Sequence, residues 1–189
     1  MLQTRGCLGA VYRITAEFLE KRGLRNEVIA RLTPASRKLL ERPPFPFSWQ
    51  EAAALEEIER ILHERSPKLA AELGHAAADY LSNTLIAPVF KMAVNLFGRS
   101  PDALFQNLDR FYSMAVRGFS FRYEPAGAGA GTVFVQISGG PTHESLYQQL
   151  RGNLEVMYSL CGATGTIGEP SVLRSDAAGA EVSLAVNWA

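Results

Sequence analysis

Apolar residues recur at three- and four-residue spacing through the first two thirds of the chain, then at every second residue in the last third. The first period belongs to helices with one buried stripe, the second to strands with one buried face. Val11, Ile14, Phe18 and Leu19 mark a helix from Leu8 to Arg22, and Gly23 suits its end. A short helix over Asn26 to Leu32 follows. Thr33 is then expected to cap a helix over Pro34 to Glu41. Three prolines in Pro43-Pro44-Phe45-Pro46-Phe47 rule out helix and predict an extended connector, with Phe45 or Phe47 pinned into the core. Ser48-Trp49-Gln50-Glu51 has the form of a capping box. The helix it would open runs to about Glu64, with Leu55, Ile58, Ile61 and Leu62 inward and Glu56, Glu57, Glu59 and Arg60 in solvent.

Ser66-Pro67 starts another helix, through Leu69, Leu73 and Tyr80, whose small residues Gly74, Ala76, Ala77 and Ala78 allow close approach of a neighbour. Ala87-Pro88 breaks it. Pro88 to Phe97 is apolar nearly all round, as in a helix buried between layers. Ser100-Pro101-Asp102 opens a helix from Pro101 to Val116 with Leu104, Phe105, Leu108, Phe111, Tyr112 and Ala115 facing inward, ended by Gly118.

From Phe119 the period is two. Phe119, Phe121 and Tyr123 alternate with Ser120, Arg122 and Glu124, Pro125 to Gly131 forms a turn, and Thr132 to Ser138 is a second strand. Thr142 caps a helix to Cys161. A strand near Ser171 to Arg174 and a last one with Val182, Leu184, Val186 and Trp188 on one side complete the chain. The fold class expected is α+β: an N-terminal helical layer packed on a four-stranded antiparallel sheet of β-β-α-β-β order. The 189 residues are read as a single domain, with a helical half over residues 1–118 and a β-β-α-β-β half over 119–189.

Nineteen Lys and Arg balance nineteen Asp and Glu, so nucleic acid, which needs excess cations, is not an expected partner. No window is long and apolar enough for a transmembrane segment, and neither is there the apolar core of a signal peptide; a cytoplasmic protein is expected. Cys7 and Cys161 are too few for a disulfide framework or a cysteine-based zinc site. His63, His75 and His143 lack a second ligand at metal spacing, and the first and last sit near helix ends that face solvent. No metal ligand or catalytic residue is identified. With no nucleophile motif and no paired acid and base, an enzymatic activity has no residue to rest on.

Several short features carry a resemblance: Leu73-Gly74, the run Phe105, Asn107, Leu108, Asp109 and Tyr112, and a β-β-α-β-β end closing on Val186-Asn187-Trp188. The chain resembles a bacterial paralogous family. More distantly it is similar to the haem-nitric-oxide-binding (H-NOX), 4-vinyl-reductase-type and TRAPP-subunit domains, which share a helical layer over a four-stranded sheet. Haem-binding members end an L-D-x-x-H run in a histidine ligand; here Leu108-Asp109-Arg110-Phe111-Tyr112 ends in tyrosine. They also carry a Y-x-S-x-R strand for the propionates, where this chain has Val135-Gln136-Ile137-Ser138-Gly139-Gly140. Vinyl-reductase-type relatives carry cysteines before the last strand, and Glu169 to Val182 holds none. No cofactor is therefore expected.

The resemblance implies a non-enzymatic sensing, binding or adaptor domain for a small hydrophobic or acyl ligand. Its pocket would be lined by Phe90, Phe97, Phe105, Leu108, Tyr112 and Phe121. Two alternatives stay open: a protein-interaction module, by homodimerisation or a partner protein meeting Phe45, Phe47 and Trp49, and a haem-based gas sensor.

Overall fold

The structure is a computed structural model that describes residues 4–84, 87, 88, 92 and 99–189. Apart from Pro88 and Met92, the apolar segment expected as a buried helix, residues 88–97, lies outside the described residues, and with it Phe90 and Phe97.

The N-terminal half begins with β1 (Gly6–Leu8), α1 (Gly9–Lys21), α2 (Arg25–Arg31) and α3 (Pro34–Glu41). Thr33 caps α3 as expected, its hydroxyl accepting the Ser36 N–H. Next come β2 (Trp49–Glu51), α4 (Ala53–Arg65) and α5 (Pro67–Asn83). Two expectations fail here. The capping box does not form, because residues 49–51 pair antiparallel with β1, Cys7 opposite Gln50, and the helix starts only at Ala53. A strand ladder satisfies those backbone groups where the cap would have served one or two. Phe45 and Phe47 are not pinned inward: they are 71% and 59% exposed, ring against ring at 5.9 Å. The connector is held by its backbone instead. The Pro46 and Ser48 carbonyls accept the N–H groups of Ala10 and Gly9, donors that the first turn of α1 leaves without a helical partner.

The helix expected from Pro101 to Val116 is divided at Asn107 into α6 (Pro101–Gln106) and α7 (Leu108–Tyr112). The Asn107 side chain bonds back to the Ala103 carbonyl, a local alternative to the helical ladder. The chain then enters β3 (Val116–Arg117), which pairs with β1 to make a three-stranded sheet in the order β2-β1-β3. Arg117 covers the Trp49 ring at 3.8 Å.

The remaining strands are β4 (Phe119–Gly127), β5 (Ala130–Ser138), β6 (Gly165–Ile167), β7 (Ser171–Asp176) and β8 (Gly179–Trp188), with α8 (Glu144–Cys161) between β5 and β6. All their pairings are antiparallel, with β5 flanked by β4 and β8. The sheet has five strands, not four. β6 and β7 both pair with the outer edge of β8, β6 near Val186 and β7 near Val182, so one edge position is filled by two short strands. The intervening Gly168-Glu169-Pro170 accounts for the break, since proline offers no ladder N–H. α8 is capped by His143, not Thr142: the His143 Nδ1 accepts the Ser145 N–H.

The period-two residues face inward as read: Val133, Val135, Ile137, Val182, Leu184 and Val186 are buried, with Leu146, Leu150, Leu154 and Met157 of α8 in the same cluster. A second cluster joins α1 to α4 and the inner side of α5. The two halves meet where α5 crosses α8. At that crossing a Cβ on Gly74 would collide with the Gln149 carbonyl, and one on Gly152 with the Ala71 carbonyl. Glycine at both positions lets the two backbones touch, the close approach that the small residues of α5 predict.

Candidate functional site

The α5–α8 crossing leaves an apolar-walled cavity beside it, between the two clusters. A compartment of about 70 Å³ is bounded by Val11 and Leu55 on the N-terminal side, Ala77 and Leu81 of α5, Tyr112 of α7 and Met157 of α8. An adjoining compartment of about 30 Å³ reaches Glu56 and Glu59 of α4. Cys7, Leu55, Tyr112, Val116, Gln149 and Asn153 border both.

Two polar groups on this cavity are orphaned. The Tyr112 hydroxyl is buried with no hydrogen-bond partner. The Asn153 side chain stands near it without closing a bond of ordinary geometry, and burial pushes the phenol well above its usual range. Glu59 is 0% exposed, and neither carboxyl oxygen has a partner. Burial raises its pKa well above the ordinary carboxylate value, the Glu56 charge adds to this, and Arg5 opposes it. The Cys7 thiol is pushed up to about 12, mainly by burial and then by Glu59.

Arg5 explains why Glu59 stays alone. Its Nε and one terminal nitrogen grip Glu56 at 2.5 and 3.0 Å. The remaining N–H groups reach the carbonyls of Ser138, Gly140 and Pro141 at 3.2, 2.9 and 2.9 Å. A guanidinium has five donors, and all five are used. Arg5 thereby ties α4 to the loop after β5 and cannot turn to Glu59.

Reading α4 as having a solvated acidic face is wrong for three of its residues. Glu56 belongs to Arg5, and Glu59 is inside. Glu57 binds the Thr33 amide and hydroxyl and the Ser36 hydroxyl; burial alone would raise its pKa, but these bonds hold it below the usual value. The pattern does carry the signal for Glu59. It follows Leu55 by four, adjoins Ile58 and precedes Leu62 by three, which is the apolar stripe itself.

Of the six residues expected to line a pocket, Tyr112 borders both compartments. Phe121 lies behind it, ring centroids 4.2 Å apart. Leu108 is fully buried in the sheet-side cluster. Phe105 stacks on Tyr123 at 5.7 Å and meets Tyr158 and Trp188, away from the cavity. Phe90 and Phe97 are outside the described residues. His63 does not face open solvent: it meets His143 edge-on at 5.5 Å, and its Nε2 is buried and unpartnered. Among the described residues no three His, Cys, Asp or Glu side chains converge as a metal site would need, and no helix is long and apolar enough to cross a membrane.

No family model matches the chain, and no curated protein matches it in sequence. Solved structures do match its fold. An H-NOX protein from K. algicida, in its Fe(II) unliganded form, is similar over 96% of both chains with a TM-score of 0.70 and 11% identity. A Cs H-NOX variant carrying 4-cyano-L-phenylalanine gives 0.67 at 12% identity, again over 96% of both. An oxygen-binding H-NOX domain related to soluble guanylate cyclases, in its oxygen complex, gives 0.64 at 11% identity over 95% of this chain and 94% of that one. The chain has an H-NOX-like fold.

Proposed function

We propose that this protein is a haem-free sensing domain whose ligand is a small, largely apolar molecule held in the cavity where the two halves meet. The observation that carries this is the orphaned Tyr112 hydroxyl on an otherwise apolar cavity. A buried, unmet phenol costs about 1–3 kcal/mol, whereas phenylalanine would pack there without that cost. A ligand with one acceptor or donor would meet it.

The fold and the solved relatives raise haem, and the residues here do not suit it. No histidine borders either compartment, and the residues outside the described set include no His, Cys or Tyr between 85 and 98. Tyr112, Cys7, Glu59 and the Met157 thioether remain as donors; burial favours the protonated, poorly ligating forms of the first three, and Met157 offers only a neutral thioether with no histidine opposite it. The one buried arginine near the cavity, Arg5, has no donor left for a propionate. Size points the same way. Drug-sized ligands occupy about 300–1,000 Å³, and an engineered cavity of about 150 Å³ takes benzene. Compartments of about 70 and 30 Å³ suit a molecule of a few heavy atoms, and a long acyl chain would need the halves to part.

Xenon, a probe of small apolar cavities, tests the reading. In methyl NMR of the purified protein under xenon, Val11, Leu55, Leu81 and Met157 should shift while Val133 and Leu184 in the sheet stay fixed. Ala77→Leu, which fills the larger compartment, should remove the response. Shifts that reach Val133 and Leu184 as well, or none, would remove the basis for a ligand.

The exposed Phe45–Phe47 pair supports a second role, as a contact for a partner protein or a second copy. Light scattering of the native chain beside Phe45→Ser/Phe47→Ser checks it; a monomer in both cases would leave homodimerisation through this patch without support.

A further inference from the structure

Glu59 gives the cavity a chemistry that the apolar walls do not. Among polar groups on the smaller compartment it alone is fully buried, acidic and wholly unpartnered. The charges that face it are Glu56 on its own helix and Arg5 on the N-terminal segment. Cys7 of β1 and Tyr112 of α7, both kept neutral by burial, share the compartment. Arg5 and Glu56 neutralise each other through the bidentate grip, and Arg5 has no donor to spare. An ionised Glu59 would leave one net negative charge in the cluster, and nothing among the described residues compensates it.

Resting on the cavity reading above, we infer that the smaller compartment is the head-group site of a small primary amine. The amine enters as its ammonium form, pairs with the Glu59 carboxylate and leaves a short alkyl tail in the larger compartment. The donor count fits. An ammonium has three N–H donors, and the compartment presents the two Glu59 oxygens and the Tyr112 oxygen, with the Gln149 and Asn153 amides beside them. An anionic ligand would bring an uncompensated negative charge into a compartment where Arg5 is already spent on Glu56 and burial disfavours charge on Glu59. A neutral alcohol forms a weaker bond with the same group, because charge-assisted hydrogen bonds are about twice as strong as neutral ones. Two compartments of about 70 and 30 Å³ limit the tail to a few carbons.

The proton balance is definite. Burial favours the protonated form of Glu59 in the free site, and the bound site holds carboxylate and ammonium, so binding a pre-protonated amine releases the proton that the free site holds. Affinity for the amine therefore rises with pH, while affinity for an isosteric alcohol does not.

The probes are n-butylamine, n-butanol and butyrate, titrated calorimetrically into the intact chain at about pH 6 and about pH 8. n-Butylamine should bind roughly tenfold or more tighter than n-butanol, gain affinity at the higher pH, and release a proton detectable by changing the buffer's ionisation enthalpy. Butyrate should not bind. Glu59→Gln, close in size and neutral, should lower butylamine to the butanol level and leave butanol unchanged. Tyr112→Phe should weaken both. Equal affinity for amine and alcohol, or a preference that survives Glu59→Gln, overturns the amine site and leaves the apolar cavity standing. No binding of either probe overturns both.

Discussion

Glu59→Gln also carries a stability prediction that needs no ligand. Glu59 is fully enclosed with the Arg5–Glu56 pair nearby, and its folded pKa is raised by burial and then by Glu56. In the unfolded chain a glutamate titrates near pH 4.3. Below about that pH both states hold the proton, and the residue contributes no pH dependence. Above it the unfolded chain ionises first while the folded chain keeps its proton. The folded state then binds more protons, so stability falls as pH rises. The slope approaches about 1.4 kcal/mol per pH unit and flattens only once the folded pKa is passed. Glutamine lacks this slope. The assay is urea unfolding of both proteins at steps from about pH 4 to about pH 8. The wild type should lose ground to Glu59→Gln from the low end of that range until the raised folded pKa is passed, even though Glu57, depressed by its Ser36 and Thr33 bonds, pulls both proteins the other way by the same amount. Parallel stability curves would mean that Glu59 ionises normally in the folded state, and the enclosed, unpaired carboxyl would have to be abandoned.

Other substitutions probe the frame around the site. Gly152→Ala puts a methyl group against the Ala71 carbonyl at the α5–α8 crossing; it should cost about 1–3 kcal/mol by urea unfolding, and an unchanged midpoint would show that the crossing has room. Arg5→Met leaves the Glu56 carboxylate and three carbonyls without their donor; a loss of about 3 kcal/mol is expected, and a loss under about 0.5 kcal/mol would show the clamp to be ornamental. Cys7, buried with its thiol pushed up to about 12, should resist a disulfide exchange reagent at neutral pH, with the half-buried Cys161 reacting first; equal rates would contradict a closed N-terminal core.

The inward faces of the sheet were readable because alternation survives packing: Val182, Leu184 and Val186 point where their spacing says. The α5–α8 contact was foreshadowed by small residues on α5, though Gly152 on the other helix carried half of it. Failures came where a long-range partner outbid a local signal or a side chain diverted its own helix. The S-W-Q-E run lost to pairing with a strand more than forty residues earlier, and the single helix before β3 lost to an asparagine that bonded its own backbone. The edge of the sheet was misread as one strand because Gly168 and Pro170 interrupt it. At the site, Tyr112 stood out as an aromatic with a polar tip. Glu59 was hidden by its neighbours Glu56 and Glu57, which made an acidic face seem the natural reading although its spacing placed it inside. Arg5 left no local trace, because its five bonds go to four residues spread from Glu56 to Pro141.

An H-NOX-like fold that holds only a small, histidine-free cavity should not take up a porphyrin. Titrating hemin into the purified chain and following the Soret region tests it most directly, with Tyr112→Phe alongside. Weak, non-saturating absorbance changes, the same in both proteins, are expected. A sharp Soret band saturating at one equivalent, and lost in Tyr112→Phe, would contradict it.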